Sequence, residues 1–375
     1  MHRGVQEFVG WLVGQRDAPE VALGPPAAAR DVAEVERSLG MPLPADHRWV
    51  LSRFNGGRLP SATLFPAGQG QGSIVDVAQW FAQRVGREIQ DPDVPLPFGR
   101  ADEGSVLAFD RSAGPLPDTW PVIDVYEQTG ETRLVSRTFD GWCRFCVEEW
   151  RSPDFGSEQS LDSYLRQGER RVRIEPDVSV AHAQLAHALK RAGRPEESLA
   201  AYLRAAECVP PLPWCDWEAL KVAALLRRPR EALVAASRLA ARGPRGRWEA
   251  RETSPGRVAE VLATLAPRVT DARPWLAVLD ELVREAADDD DRARVERVRQ
   301  GFLEGSTPTR AAATGAGSAP PPVPPFENLD AWWKDLEGRY LEGSLREEEL
   351  LTDPGLEPIR RGRDLGGLLR LRREL

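Results

Sequence analysis

The chain has 375 residues, which is enough for two or three domains that each bury a core. Its 29% charged and 41% hydrophobic residues are typical of a water-soluble globular protein, and no stretch approaches the roughly 20 apolar residues that cross a bilayer. Four cysteines are too few for a disulfide framework, which fits a reducing compartment. The apolar run near the start is interrupted by Glu7 and lacks a cleavage site, so we expect no signal peptide and a cytoplasmic protein.

The net charge of −8 lies in the first part of the chain. Residues 1–160 contain 15 Lys and Arg against 23 Asp and Glu, whereas residues 161–375 contain 35 of each kind. An acidic region repels nucleic-acid phosphates, so we expect no nucleic-acid ligand. It favours a basic protein partner, which it would steer electrostatically. The other interpretation is an acidic surface that only improves solubility.

Two short helices are predicted near the start of this acidic part. Residues 31–39 place three apolar side chains on one face of a helix that Gly40 ends. A second helix is predicted to begin near Pro44, because the missing N–H of proline suits a first helical turn. The run Asn55-Gly56-Gly57 is expected to cap this second helix, because these residues tolerate a left-handed backbone.

Short apolar runs separated by turn residues then predict β-strands. They are ATLFP at 62–66, SVLAFD at 105–110 and PVIDVYEQTGETRLVS at 121–136. The last is predicted to be a hairpin that turns at residues 128–131. Further helices are predicted at 76–89, by the spacing of apolar residues, and at 140–150. This mixture indicates an α+β domain over residues 1–155.

Residues 32–57, VAEVERSLGMPLPADHRWVLSRFNGG, resemble the opening of the SUKH superfamily, which includes bacterial toxin-immunity proteins and fungal cell-wall assembly regulators. The resemblance covers about residues 28–152. It implies a single-sheet domain that grips another protein, and it implies that the motif residues are mainly architectural. The motif combines a Glu-bearing helix, Leu-Gly, Leu-Pro-x-Asp and a terminal Asn-Gly-Gly, represented here by Glu36, Leu39, Gly40, Leu43, Pro44, Asp46, Asn55, Gly56 and Gly57.

From about residue 160 the strand signals end and predicted helices follow in pairs. Residues 179–210 are similar to a tetratricopeptide repeat, in which two antiparallel helices interlock through small and apolar residues. Residues 216–241 resemble a degenerate second repeat. Residues 249–304 are expected to add capping helices, because such repeats need neighbours for stability. The residues that fit the first repeat are Leu185, Ala186, Leu189, Gly193, Tyr202, Ala205 and Pro210.

The chain is thus predicted to continue from the α+β domain into an all-α repeat region at 160–304. Residues 305–325 are rich in Pro, Ala and Gly and are predicted to be a linker. Residues 326–375 are predicted to form a small C-terminal helical segment, because aromatic and apolar residues recur there at helical spacing.

Cys143 and Cys146 form a Trp-Cys-x-x-Cys motif of the kind that thioredoxin-like enzymes use. In those enzymes the first cysteine lies at a helix N-terminus, where its pKa is lowered. Here the motif closes an α+β domain, and aromatic neighbours indicate the buried face of a helix. We therefore expect a structural role, with thiol chemistry as the alternative. The cysteines and histidines suggest no metal site, and no cofactor is expected.

Candidate partner-binding residues lie in loops, where rigid scaffolds concentrate recognition. Asp91 and Asp93, together with Asp102 and Glu103, are predicted to form acidic loops that attract a basic partner. Trp214 and Trp217 follow a proline-rich stretch and are predicted to interrupt the repeats at a turn between helices. Tryptophan is enriched at binding hot spots, although packing is the other interpretation.

The sequence therefore predicts a protein that binds another protein and has no catalytic site. The first hypothesis is a toxin-immunity protein that covers a basic toxin effector. The second is a regulatory adaptor in which the SUKH-like domain senses one protein and the repeats hold another. The third is a thiol oxidoreductase that uses Cys143 and Cys146. No membrane contact is expected, and the sequence leaves the oligomeric state open.

Overall fold

The structure is a computed structural model that describes residues 2–157, 160–209, 211–242, 253–304 and 329–374. The chain divides into two compact units. The first comprises Met1–Glu158 and Arg170–Val178, and the second comprises Gln159–Glu169 and Ser179–Leu375. The predicted linker at 305–325 lies outside the described residues, as do Pro210 and residues 326–328.

One antiparallel sheet of seven strands, which follow one another in chain order, forms the centre of the first unit. The strands are β1 (Ala22–Leu23), β2 (Gly57–Leu59), β3 (Ala62–Leu64), β4 (Leu96–Ala101), β5 (Val106–Phe109), β6 (Val122–Val125) and β7 (Thr132–Ser136). Nearly every residue of β4, β5 and β6 is buried, so these strands are covered on both faces. The predicted single-sheet α+β fold is confirmed.

Helices cover this sheet. They are α1 (Arg3–Gly14), α2 (Ala29–Leu39), α3 (Ala45–Leu51), α4 (Ile74–Val85) and α5 (Phe139–Trp150). A further helix, α6 (Leu161–Ile174), is divided between the two units. Sequence reasoning assigned no element to the stretch that forms α1, yet Val5, Phe8 and Leu12 of this helix are completely buried. Helix α1 is therefore part of the core.

The Asn-Gly-Gly run does not cap α3, because that helix already ends at Leu51. Asn55 instead fixes the chain that enters the sheet, since its side chain accepts a hydrogen bond from the Ala67 N–H (2.6 Å) and donates one to the Ala67 carbonyl (3.1 Å). Gly57 has a φ of 130°, and a Cβ atom there would lie 2.3 Å from the Ala22 carbonyl oxygen of β1. Only glycine fits such an approach of two strands.

Glu36 has a comparable role in the loop between α2 and α3. Its carboxylate accepts a hydrogen bond from the Leu43 N–H at 2.8 Å and lies 3.6 Å from the Arg48 guanidinium. Gly40 ends α2 with a φ of 70°, as its position after the last apolar residue predicts. These contacts hold the loop between α2 and α3 in place.

The second unit is helical. Its helices are α7 (Ser179–Arg191), α8 (Pro195–Glu207), α9 (Pro213–Leu225), α10 (Pro229–Arg242), α11 (Pro255–Ala263), α12 (Arg273–Glu285), α13 (Asp289–Glu304), α14 (Leu329–Leu341), α15 (Glu347–Thr352), α16 (Glu357–Gly362) and α17 (Gly366–Leu369). The pairs α7–α8 and α9–α10 are compatible with the predicted repeats, and their tetratricopeptide character stays a prediction. The C-terminal helices share one core with these pairs, because Leu336 and Ile359 are buried in the same cluster as Leu220.

Candidate functional site

Cys143 and Cys146 lie in the core of the first unit. Cys143 is the fifth residue of α5, beyond the turn in which the helix N-terminus acts most strongly on a thiol. Both thiols are free, and their residues are 0% and 6% exposed. Burial raises the pKa of Cys146, and it raises the pKa of Cys143 well above its ordinary value. Because the thiolate is the reactive form, this arrangement argues against thiol chemistry.

The four predicted acidic residues form two groups at opposite ends of strand β4. Asp91 and Asp93 precede the strand, whereas Asp102 and Glu103 follow it. A strand of six residues is about 17 Å long, so the four carboxylates belong to two separate surfaces. Whether either surface binds a partner stays a prediction.

The first group lies in the loop of residues 86–95, where an arginine holds the carboxylates. The Arg87 guanidinium is 3.1 Å from Asp91 and also contacts Asp93. The Asp93 N–H donates a hydrogen bond to Asp91 at 2.9 Å. This N–H, together with Arg87, lowers the pKa of Asp91, so its carboxylate stays ionised. The loop is thus an ordered, acidic segment at the surface.

The second group belongs to a larger acidic patch. The register that pairs Val106 of β5 with Val125 of β6 brings the β4–β5 turn beside the β6–β7 turn. The Arg100 side chain links the two turns, since it donates hydrogen bonds to the Gly104 carbonyl (2.9 Å) and to Glu127 (2.6 Å). We call the acidic side chains of these turns the hairpin-turn patch, and they are Asp102, Glu103, Glu127 and Glu131.

Sequence reasoning missed Glu127 and Glu131, although the hairpin that contains them was predicted. The strand pairing, which the sequence did not provide, decides which turns are neighbours. Below the patch, the buried Asp124 accepts hydrogen bonds from Ser105 (3.3 Å) and Arg133 (2.8 Å). These contacts fix the two turns to a rigid sheet.

A cleft of about 180 Å³ opens near the other acidic group. Prolines from three separate loops form half of its lining, and a methionine, a glycine, a tryptophan and an arginine contribute the rest. We call it the proline cleft, and its lining residues are Met41, Pro42, Pro92, Arg111, Gly114, Pro115, Pro117 and Trp120. Pro92 lies between Asp91 and Asp93, so the predicted acidic loop forms part of the rim.

Comparison with known families agrees with this architecture. The profile of the SMI1 / KNR4 family (SUKH-1) matches residues 26–144. Residues 26–144 are a SUKH domain. This family is associated with immunity proteins and cell-wall regulators, and it is generally non-catalytic. Nothing among the curated proteins matches the chain.

Both acidic groups and the proline cleft lie within the SUKH domain, and Cys143 is near its matched end. The matched segment begins after α1 and includes all strands except β1. The motif residues Pro44 and Asp46 lie at the start of α3, where Asp46 accepts a hydrogen bond from the ring of His2 at 2.5 Å. The segment that matches the family thus contains most of the sheet that positions the loops.

Trp214 and Trp217 lie outside the SUKH domain and inside helix α9, whereas the sequence suggested a turn. Trp217 is only 3% exposed, and the Lys221 ammonium lies 5.5 Å from its ring centre. A partner cannot reach this side chain in the observed fold. Trp214 is 37% exposed and lies edge-on to Tyr202, with ring centres 6.1 Å apart. It is the one of the two tryptophans that a partner could contact.

Across the described ranges, no three or more His, Cys, Asp or Glu side chains lie close enough together to hold a metal ion. In the part of the chain that the structure describes, no helix is both long and apolar enough to span a membrane.

Proposed function

We propose that the chain is a non-catalytic protein-binding protein in which the SUKH domain binds and blocks a basic toxin effector. The observation that supports this most directly is the placement of charge. The whole excess of eight negative charges belongs to residues 1–160, which include the SUKH domain. Carboxylates concentrate in the loops at both ends of its sheet.

Such a surface suits a basic partner because complementary charge accelerates encounter. Asp102 and Glu103 project from a turn fixed to the sheet, so binding would not require the turn to order first. SUKH proteins typically bind protein partners, which supports the general class of function. Binding is the whole activity in this proposal, and no bond is made or broken.

The burial of the cysteine pair supports a binding protein over a thiol oxidoreductase. Redox catalysis requires an accessible thiolate, whereas burial raises the pKa of both thiols. The aromatic side chains of Phe8 and Phe139 each lie with ring centres 5.5 Å from Trp142, so the motif is surrounded by core packing.

The test begins with crosslinking in the native host to recover the partner, followed by measurement of its association rate. The variant combines Asp91→Lys, Asp93→Lys, Asp102→Lys and Glu103→Lys. We expect association to slow at least tenfold at low salt, because steering rates rise by ten to a thousandfold with favourable charge. Co-expression with the partner should also relieve its toxicity. An acidic partner, or rates indifferent to both salt and mutation, would refute the proposal.

A matched control reverses exposed acidic residues of the second unit. Glu296→Lys, within α13, and Glu342→Lys, directly after α14, change charge at exposed positions in a region that has no net charge. This variant should associate at nearly the wild-type rate. An equal slowing would indicate a general charge effect and would remove the SUKH loops as the binding site.

A second candidate function, the regulatory adaptor, is favoured by one observation. The second unit has its own core and paired helices, and a short immunity domain has no need of either. An adaptor would hold a second protein through these helices. The fourfold charge-reversal variant distinguishes the two functions. If the protein is an adaptor, this variant still captures the second partner through its helices. A simple immunity protein has no second partner to capture.

A further inference from the structure

The proline cleft presents exposed apolar surface beside the core of the SUKH domain. Pro42, Pro92 and Pro115 are all exposed although they line the cleft. Leu116, between two lining prolines, is 64% exposed. Scattered apolar residues are normal at a protein surface, but a concave group of them is typical of a binding site.

Hydrogen bonds hold the loops around this cleft in place. The buried Arg111 guanidinium donates to the carbonyls of Ile89 (2.7 Å), Gln90 (2.6 Å) and Val94 (3.0 Å). One side chain thus connects the loop of residues 110–121 to the loop of residues 86–95. Proline fixes its own φ angle, which further restricts these loops. The cleft is therefore formed before any ligand arrives, which lowers the entropic cost of binding.

Two more contacts complete the wall. The Trp120 indole N–H donates to the Gly114 carbonyl at 2.6 Å, so the polar atom of this buried ring is satisfied. The Ala45 N–H at the start of α3 donates to Asp118 at 2.6 Å, which ties the 110–121 loop to that helix.

Two of the three loops that form the cleft are acidic. The 86–95 and 110–121 loops contain five acidic residues and only two arginines. Of these arginines, Arg111 is buried and Arg87 is held by Asp91 and Asp93. A ligand that enters the cleft therefore meets apolar walls inside and an excess of carboxylates at the edge.

We propose that the proline cleft anchors one apolar side chain of a partner segment whose flanking residues are Lys or Arg. The proposal rests on the proposed function, because it specifies where and how a basic protein partner docks. Apolar walls and acidic rim are complementary to that segment, whereas an acidic segment would be repelled. Contacts inside the cleft then control dissociation, and the rim carboxylates control association.

The probe for this site is a random twelve-residue peptide library displayed on phage and panned against the full chain. We expect enriched peptides to share one aliphatic or aromatic residue between Lys or Arg residues. A synthetic copy should bind the wild type at least tenfold more tightly than the Met41→Ser, Pro115→Ser double variant, with the difference mainly in the dissociation rate. Circular dichroism checks that the variant is folded.

The matched control is Val13→Ser on α1, an apolar residue that is 42% exposed and does not line the cleft. It should bind the peptide as the wild type does. An acidic consensus, no consensus, or equal binding by the cleft variant would overturn the proposal. So would self-association of the wild type, seen by sedimentation velocity and lost in the cleft variant, because a second copy of the chain would then be the occupant.

Failure of the cleft and failure of the proposed function are distinguishable. Suppose that fourfold charge reversal slows association of the natural partner, while the cleft variant leaves the association and dissociation rates of that partner unchanged. The basic-partner function then stands and the anchoring site is wrong. If the natural partner is acidic, the proposed function fails first, whatever the peptides show.

Discussion

Asp93 and Asp102 lie beyond opposite ends of strand β4, whose six residues span about 17 Å. That separation exceeds the Debye length of about 8 Å at physiological ionic strength. Each carboxylate group therefore acts mainly on a partner that docks at its own end of the sheet. At about 0.01 M salt the Debye length is about 30 Å, and both groups contribute to the field that a partner meets.

The first prediction uses this difference to locate the docking end. Asp91→Asn with Asp93→Asn removes charge at the proline cleft, and Asp102→Asn with Glu103→Asn removes it at the hairpin-turn patch. If the partner anchors in the cleft, the first pair alone should slow association several-fold at physiological salt. Both pairs should slow it at low salt. Stopped-flow association rates with the recovered partner at the two salt concentrations provide the measurement.

The reverse pattern, in which only the Asp102 and Glu103 pair matters at physiological salt, would place docking at the hairpin-turn patch. Equal effects of both pairs at physiological salt would mean that the partner spans the sheet. Either result contradicts docking at the cleft end alone. Denaturant unfolding of both variants serves as the control for loss of structure, because Asp91 also accepts hydrogen bonds within its loop.

Sequence reasoning predicted the elements of the SUKH domain better than its surfaces. The hairpin that turns near Gly130 and the closing helix α5 follow from local turn and spacing signals. Strands β1 and β2 have only two and three residues, which is too short for an alternating pattern to be visible. The sequence does not predict helix α1, because its apolar run is short and is interrupted by Glu7.

The candidate sites depend on contacts between residues that are distant in sequence. Met41, Pro92 and Pro117 meet only because three loops converge at one end of the sheet. No local pattern contains that information. The acidic residues were recognised, but their division into two surfaces follows from the length of β4 and the pairing of β5 with β6.

The second prediction is that Cys143 and Cys146 are structural. The double Cys→Ala variant should lose about 1–2 kcal/mol of stability, because small buried side chains are removed from a packed core. Partner binding should be unchanged once the variant is folded. In an insulin-reduction assay the wild type should show no turnover above background. Turnover that disappears in the double variant would establish thiol chemistry and overturn the non-enzymatic proposal.

The third prediction concerns acid sensitivity of the SUKH domain through His47. Its ring is buried among Phe98, Phe109 and Phe139, and neither ring nitrogen has a hydrogen-bond partner. Burial lowers the pKa of His47 from 6.5 to about 3. The unfolded chain therefore takes up this proton first as pH falls. The stabilising contribution is complete above pH 6.5 and decreases steadily between pH 6.5 and 3.

Between pH 6.5 and 5 the loss should be about 2 kcal/mol, since one proton changes stability by about 1.4 kcal/mol per pH unit. Hydrogen exchange of the β4–β6 amides measures this loss of stability. His47→Phe should flatten this slope. His2 is the internal comparison, because the hydrogen bond and charge of Asp46 raise its pKa. Its contribution is present below pH 6.5 and is lost as pH rises, so His2→Ala should not flatten the acid slope.

The fourth prediction concerns a buried charge network in the second unit. Glu218 of α9 lies 2.8 Å from Lys190 of α7 and 2.6 Å from Lys221, and Lys190 is also 3.2 Å from Glu347 of α15. Burial favours the protonated form of Glu218, but the two ammonium groups outweigh it and lower its pKa to about 2. Glu218→Ala should cost about 3 kcal/mol, because it leaves buried ammonium groups without their partner.

The control is Glu342→Ala, at an exposed position, which should change stability by less than about 0.5 kcal/mol. Urea unfolding of the second unit, followed by tryptophan fluorescence, measures both variants. A cost for Glu218→Ala as small as that of the control would mean that water solvates the network and that it does not hold α15 against α9.

The last prediction is that residues 1–178 fold alone, whereas residues 20–155 do not. The shorter fragment ends at residue 155, where the sequence predicts the end of the α+β domain, but it lacks α1. Without α1, the completely buried Val5, Phe8 and Leu12 are missing from the core. Each fully buried side chain of this kind contributes about 1.5–3 kcal/mol, and a whole domain is stable by only about 5–15 kcal/mol.

The shorter fragment also lacks Arg170–Val178, which belongs to the first unit. In this segment Glu175 accepts hydrogen bonds from the Ser136 hydroxyl (2.6 Å) and the Arg137 N–H (3.0 Å), and Arg171 donates to the Val135 carbonyl. Strand β7 and the chain that leaves it therefore lose their hydrogen-bond partners on truncation. Amide NMR spectra and thermal unfolding of both expressed fragments test whether each one folds alone. A soluble fragment 20–155 that unfolds cooperatively would show that α1 and residues 170–178 are dispensable to the SUKH fold. Equal protection of residues 305–325 and the rest of the full chain from limited proteolysis would contradict the predicted linker.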